Sequence, residues 1–311
     1  MAGARRRARR YQRLREIEAM DVERVHSRIW LLDMAYEFPW DMQVGGSIGF
    51  YHSLAPPRMA RLLARTGELT ENTQRRLDDT NILMWEMFRH GFTGTRGREA
   101  ARQMNRIHRN AVRHVNALDG GDRWSITNDE YLFVLAAVMI HMVRAVDRHG
   151  WRPFGETERR AAYLHFRSMG EHMGIKDIPK TYEDFERFHD EYVRATFTYS
   201  PEAAALWRST RGLFVEVLVA WLPPRLHGVA GRAVEPLLPA LLGPDLCRAF
   251  GLRPASPLTA RLVRAALRAR SVYVRWSPPR RESAMPDRIP TERFPEGEYE
   301  FSQVGPDHST S

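Results

Sequence analysis

His108 is the residue best placed to do chemistry. It lies at the centre of an apolar helical stripe, where an imidazole needs a partner to offset the loss of water. Between Gly97 and Val115, a helical step of about 100° per residue brings Ala100, Met104, Ile107, Ala111, Val112 and Val115 within an arc of roughly 140°. Arg102, Arg106, Arg109 and Arg113 fall on the opposite side. A metal ion is one partner that would satisfy such a ring. A backbone carbonyl or a buried carboxylate is the structural alternative, and the helix by itself leaves the choice open.

The preceding segment carries a second inward-facing polar set. Arg76 and Thr80 are four residues apart and share a face with Leu83, Met84 and Met87, whereas Arg75, Asp78, Asp79 and Glu86 are expected to point away. A guanidinium and a hydroxyl on one wall could stabilise developing negative charge. The structural alternative is an Arg bonded to a buried carboxylate and a Thr bonded back to its own helix. Other ligand patterns exist. Glu23-Arg-Val-His26 and Glu186-Arg-Phe-His189 both have the Glu-x-x-His spacing of helical di-iron proteins, which a chain of this composition also produces by chance. Of His114, His141, His165 and His172, His141 stands out because it lies in the most apolar helix, where it reads as pocket lining or a satisfied core residue.

The elements that must hold these side chains read as helices throughout, with no strand alternation and no internal repeat. A helix is expected over 21–36, broken by Phe38-Pro-Trp40, followed by Gly45, Gly46 and Gly49 in a loop or a loosely packed helix. Pro56-Pro57 opens a helix that closes at Gly67. The next runs over 71–90. Thr127-Asn-Asp-Glu130 has capping-box spacing and starts the long apolar helix that ends before Gly150. Further helices are expected over 157–173, from Thr181, over 202–222, over 229–242 and over 257–271. The fold class is thus all-α: a single multi-helix domain over 21–277, with a basic N-terminal arm at 1–20 and a disordered C-terminal tail at 278–311, where Pro, Glu, Asp, Ser and Gly prevail.

Composition narrows the class of protein. With 43% hydrophobic residues and 8 Trp, the 311-residue chain can bury a large core. The single Cys247 excludes a disulfide framework and Cys-cluster metal sites, and its flanking residues lack the glycine-bracketed form of a thiolate haem-ligand loop. The net charge of +9 is concentrated in Arg5, Arg6, Arg7, Arg9, Arg10, Arg13 and Arg15, and again in Arg261, Arg264, Arg268, Arg270, Arg275, Arg280 and Arg281. Both clusters suit a solvated surface or peripheral contact with an anionic membrane. No aromatic-interleaved motif accompanies them, so no nucleic-acid partner is expected. The basic start is followed by Tyr11-Gln-Arg-Leu-Arg-Glu-Ile-Glu18 rather than an export signal, and the apolar run Tyr131–Val146 falls short of the roughly 20 residues that span a bilayer. A cytoplasmic, possibly membrane-peripheral location is the expectation.

Taken in order, Pro56-Pro-Arg-Met-Ala-Arg-Leu-Leu-Ala-Arg-Thr-Gly67, the Arg-x-x-x-Thr of Arg76 to Thr80, Met104-Asn-Arg-Ile-His108, Ile126-Thr-Asn-Asp-Glu-Tyr131, Gly150-Trp-Arg152 and Met169-Gly-Glu-His-Met-Gly174 resemble the mpaB-type oxygenases and the related rubber oxygenases, or latex-clearing proteins. The resemblance runs over about Asp21 to Leu222 and rests on the ordered combination of motifs. It implies an all-helical fold enclosing one b-type haem, with His108 as the proximal iron ligand, Asn105 in the same cofactor-binding segment, and Arg76 and Thr80 on the distal side. It further implies dioxygen as co-substrate and a hydrophobic, unsaturated, isoprenoid-like small molecule as the partner that is cleaved or oxidised. Asp79 stands where rubber oxygenases carry a lysine, so a lysine-ligated resting state is not expected. The competing readings are a non-haem di-iron oxidase built on the Glu-x-x-His pairs, and a non-enzymatic helical protein that uses its basic tails to bind anionic membrane or nucleic acid.

Overall fold

Thr127 starts the helix on which the molecule is organised. Its hydroxyl accepts from Glu130 N and the Glu130 carboxylate accepts from Thr127 N, so the expected capping box is formed in full. The computed structural model describes residues 9–118 and 123–306. In chain order its helices are α1 (Gln12–Glu18), α2 (Val22–Leu32), α3 (Pro39–Leu54), α4 (Pro57–Arg65), α5 (Glu68–Glu71), α6 (Thr73–His90), α7 (Thr95–Leu118), α8 (Asn128–His149), α9 (Glu156–Met173), α10 (Tyr182–Thr196), α11 (Pro201–Val219), α12 (His227–Val234), α13 (Leu238–Phe250) and α14 (Pro257–Trp276). A π-helical turn, Asp33–Glu37, links α2 to α3, and there is no strand among the described residues. The all-α expectation holds.

Helix α8 is buried on most of its surface and packs most extensively against α3. Gly45 and Gly49 belong to α3 and form its contact face, not a loop or a loose helix. A Cβ on Gly45 would lie 2.4 Å from the His141 carbonyl oxygen, and one on Gly49 would lie 2.7 Å from Val138 Cα. Backbone therefore meets backbone across this pair. One apolar cluster, around Trp30, Phe38, Met139 and Phe166, fills the space between α8 and helices α2, α6, α7 and α9. A second, around Tyr51, Phe133, Trp207 and Phe250, joins α3 and α8 to α11 and α13.

Buried charges stitch the N-terminal part to this core. Arg152 donates to both carboxylate oxygens of Glu158 at 2.6 Å and lies 3.6 Å from Glu37, which Arg13 contacts at 2.8 Å. Burial, and then the facing Glu158, push the Asp33 carboxyl well above the usual carboxylate range. Arg10 lies over the Trp151 ring at 4.0 Å and is itself buried. The basic arm is thus docked from Arg10 onward rather than solvated. Arg5, Arg6 and Arg7 lie outside the described residues.

The C-terminal segment also departs from expectation. Residues 278–306 cross the outer face of α6 as an ordered strap: Met285 and Val304 are buried, Ala284 N donates to Ala35 O at 2.7 Å, and Trp85 donates to Pro286 O at 3.2 Å. The expected disorder was inferred from average composition, but the few apolar residues of this segment each meet the core. Ile289, Phe294, Tyr299 and Phe301 pack beside Met285 and Val304. Residues 307–311 lie outside the description.

Alanine is favoured over glycine in a helix by about 1 kcal/mol. At Gly49 the added methyl would have to displace the α8 backbone, an overpacking cost of about 1–3 kcal/mol. Gly49→Ala is therefore expected to lower stability in urea denaturation, and a gain would show that the two helices are not in backbone contact.

Candidate functional site

Helices α6 and α7 form an antiparallel hairpin whose tight turn sets their register. Gly91 has φ +56° and ψ −154°, a conformation open to glycine, and a Cβ on Gly97 would lie only 1.8 Å from the Gly91 carbonyl oxygen. Residues at matching distances from the turn face one another, which brings Arg76 level with His108.

The site residues read from sequence are placed as follows. His108 is half-buried, and its Nδ1 is sealed from solvent and has no hydrogen-bond partner among the described residues. Burial, reinforced by the positive charge of Arg76, lowers its pKa to about 4, so the ring is neutral at physiological pH. The Tyr131 ring lies 5.5 Å from it, centroid to centroid. Beside both is a cleft of about 550 Å³, also lined by Val112, Ser125, Ile126 and the two arginines Arg109 and Arg113. Arg76 donates to Thr80 Oγ1, and the Thr80 hydroxyl donates to the Arg76 carbonyl at 2.8 Å. Burial lowers the Arg76 pKa, with Asp79 and Glu68 opposing the shift.

Asn105 does not accompany them. Its amide donates to the Met173 carbonyl at 3.1 Å, bracing α7 against the last turn of α9. Arg58 and Glu130, from two of the motifs in the resemblance, form an ion pair, and Arg58 also donates to Ser125 O at 2.8 Å. This pair fixes the start of α8, and with it Tyr131, beside the cleft.

Asp79 and Glu86 were expected to face solvent, and both are buried. The strap covers them. Arg293 reaches Asp79 at 3.3 Å, while Glu86 accepts from Arg96 at 2.5 and 2.8 Å and from the Tyr299 hydroxyl at 2.5 Å. Helical periodicity identified a polar face without identifying what would lie on it.

The Glu-x-x-His pairs do not come together among the described residues. Glu23 pairs with Arg160 at 2.8 Å on the surface. Glu186 pairs with Arg144, and His189 instead joins His52 and His141 in a set whose ligand atoms lie within 4.8 Å of one another. The His141 Nε2 has no hydrogen-bond partner, so this is not a satisfied core histidine. His52 was not singled out in the sequence. The four-residue spacing of Gly45 and Gly49, read as a helix-contact face, would have placed His52 of α3 against α8.

Comparison with known proteins adds the family. Residues 38–272 match the family model described as "ER-bound oxygenase mpaB/B'/Rubber oxygenase, catalytic domain". The chain belongs to this family. Among the family's curated members, the ER-bound oxygenase mpaB' of Penicillium brevicompactum is 22% identical over 263 residues, covering 80% of the chain and 58% of that protein. The ER-bound oxygenase mpaB of Penicillium roqueforti is 25% identical over 141 residues, 45% of the chain and 44% of that protein. The chain thus spans about half the length of these relatives. A solved structure of latex clearing protein LCP in the closed state superposes with a TM-score of 0.53 at 15% identity, covering 86% of the chain and 70% of that structure, which supports the same fold. No helix among the described residues is long and apolar enough to cross a membrane.

If Asn105 acts as a brace, Asn105→Ala leaves the Met173 carbonyl without its donor and is expected to destabilise the chain by about 1 kcal/mol. Chemical denaturation with unchanged stability would remove that role.

Proposed function

We propose that the chain is a haem b-dependent oxygenase that uses dioxygen to cleave or oxidise a hydrophobic, unsaturated, isoprenoid-like small molecule. The observation that carries this reading is the juxtaposition of a neutral, partly buried His108 with the Arg76–Thr80 pair on the neighbouring helix, beside an apolar cleft. The residues present suit a b-type haem: the sealed Nδ1 of His108 lacks a protein partner, and a neutral imidazole is a common axial ligand. When bound, the haem supplies a redox-active iron with one face open to dioxygen.

His108 would hold the iron, with Tyr131 limiting the tilt of its ring. Arg76 keeps its charge even when desolvated, because guanidinium deprotonates only at extreme pH. Its bond to Thr80 fixes the direction of that charge, and a fixed donor stabilises negative charge without reorganising; the Thr80 proton goes to the Arg76 carbonyl, so Thr80 acts by holding Arg76 in place. The back of α6 is neutralised by Arg293 on Asp79 and by Arg96 on Glu86, so neither carboxylate opposes Arg76 from an unpaired state. Val112, Ile126 and Tyr131 give the cleft the apolar wall that an alkene requires.

Peripheral contact with an anionic membrane belongs to the same proposal. Helix α14 has no buried residue and presents Arg261, Arg264, Arg268 and Arg275 together with exposed Leu258, Leu262 and Trp276. Arg270 of that helix faces inward instead and pairs with Asp41 at 2.7 Å.

The test is the visible spectrum of haem-supplemented protein, alongside oxygen uptake with a panel of terpenoid and fatty alkenes. Wild type is expected to show a Soret band that His108→Ala loses. Arg76→Ala should keep the band while turnover falls about 10²–10³-fold, the usual effect of deleting one oxyanion-type donor. Thr80→Ala, which only frees the Arg76 side chain, should keep the band and lose less turnover. A wild type without Soret absorption, or a His108→Ala protein that binds haem normally, contradicts the haem assignment. Full activity in both distal variants removes Arg76 and Thr80 from the chemistry.

A further inference from the structure

We propose that His52, His141 and His189 form a second metal centre, separate from His108, that binds one divalent transition-metal ion of the zinc type. The three rings come from three helices, α3, α8 and α10. Their centroids are 3.8 Å apart for His52 and His141, 5.1 Å for His141 and His189, and 5.4 Å for His52 and His189. One ligand nitrogen from each lies within 4.8 Å of the others. Two nitrogens on one zinc at the typical bond length of roughly 2.0–2.1 Å lie at most about 4.2 Å apart, so small side-chain adjustments close the three rings around a single ion.

The outer hydrogen bonds already orient two of the rings for ligation. The Nδ1 of His52 lies 2.9 Å from the Ile48 carbonyl, and the Nδ1 of His189 lies 2.8 Å from the Asp190 carboxylate. Each acceptor fixes its ring as the Nδ1–H tautomer and leaves Nε2 with a free lone pair, the arrangement found behind histidines that bind metals. His189 is 1% exposed, and its Nε2, like that of His141, is buried without a hydrogen-bond partner. Buried polar atoms are rarely left unpaired, and here two of them point into one space. Burial lowers the pKa of all three rings, so each offers a lone pair rather than a proton.

Charged groups of both signs flank the centre. Arg144 donates to Asp190 at 2.7 and 2.9 Å and to Glu186 at 3.0 Å. The two carboxylates thus offset the Arg144 charge behind His189, while Arg148 acts on His141 as a second positive charge. Asp190 and Glu186 also line an open cleft of about 640 Å³ together with Asp147, Asp245, Arg144, Arg148 and Arg194. Three neutral imidazoles suit zinc, copper, nickel or iron rather than magnesium or calcium, which prefer oxygen. With three protein ligands, a fourth position remains for water or a small anion.

The experiment is zinc binding by the full chain, stripped with a chelator and then equilibrated with Zn(II) alone, with metal content read by mass spectrometry and coordination by X-ray absorption at the zinc edge. Wild type should take up one zinc per chain with a shell of three imidazole nitrogens. His189→Gln and His141→Gln should each weaken binding at least a hundredfold, while His108→Ala and the surface control His172→Gln bind as wild type does. The His108→Ala arm separates this centre from the haem site, so it can stand even if the haem reading falls. Circular dichroism checks that the variants remain folded. If one His variant unfolds, the other and the wild-type absorption edge still decide the matter. No stoichiometric zinc in wild type, a shell without three imidazoles, or equal binding in the folded His variants would overturn the proposal.

Discussion

The approach of α3 to α8 is the constraint on which the rest of the structure depends. Gly45 and Gly49 remove two side chains from that interface, so the helices meet at backbone distance and α8 is drawn into the centre of the molecule. Both candidate sites then use α8. Near its first turn it presents Tyr131 to His108, and further along it presents His141 to His52 and His189. A larger residue at either glycine would push the helices apart and change the geometry at both places at once.

The charge balance acquires a structural meaning from this arrangement. A basic chain suggests an anionic partner, yet several arginines neutralise carboxylates that the fold has buried. Arg152 serves Glu158, Arg58 serves Glu130, Arg96 serves Glu86, and Arg270 serves Asp41. Pairs of this kind add little net stability because desolvation opposes their attraction, but breaking one strands a buried charge. Their main effect is to fix which segments dock where. Arg13 on Glu37 seats the N-terminal arm, and Arg293 on Asp79 seats the C-terminal strap.

Much of the architecture was legible in the sequence because helices announce themselves locally. The capping box at Thr127, the prolines at 57 and 201 and the glycine at 174 mark helix ends that the structure places within a few residues. The stripe through Ala100, Met104, Ile107 and Val115 is buried, as its periodicity required. What periodicity could not supply was the neighbour. Asp79 and Glu86 read as solvent-facing because the segment that covers them lies some two hundred residues downstream and is too polar on average to be recognised as part of the core. His52 went unnoticed for a similar reason: it becomes chemical only when two glycines bring it against His141. The bond from the Asn105 amide to the Met173 carbonyl, which holds α7 to α9, was likewise not legible in its motif.

The central proposal is that His108 holds haem iron. A structure of the chain reconstituted with haem tests it most directly. One haem per chain is expected, with its iron held by a His108 nitrogen. Iron bonded to any other residue, the His52–His141–His189 set included, would contradict it.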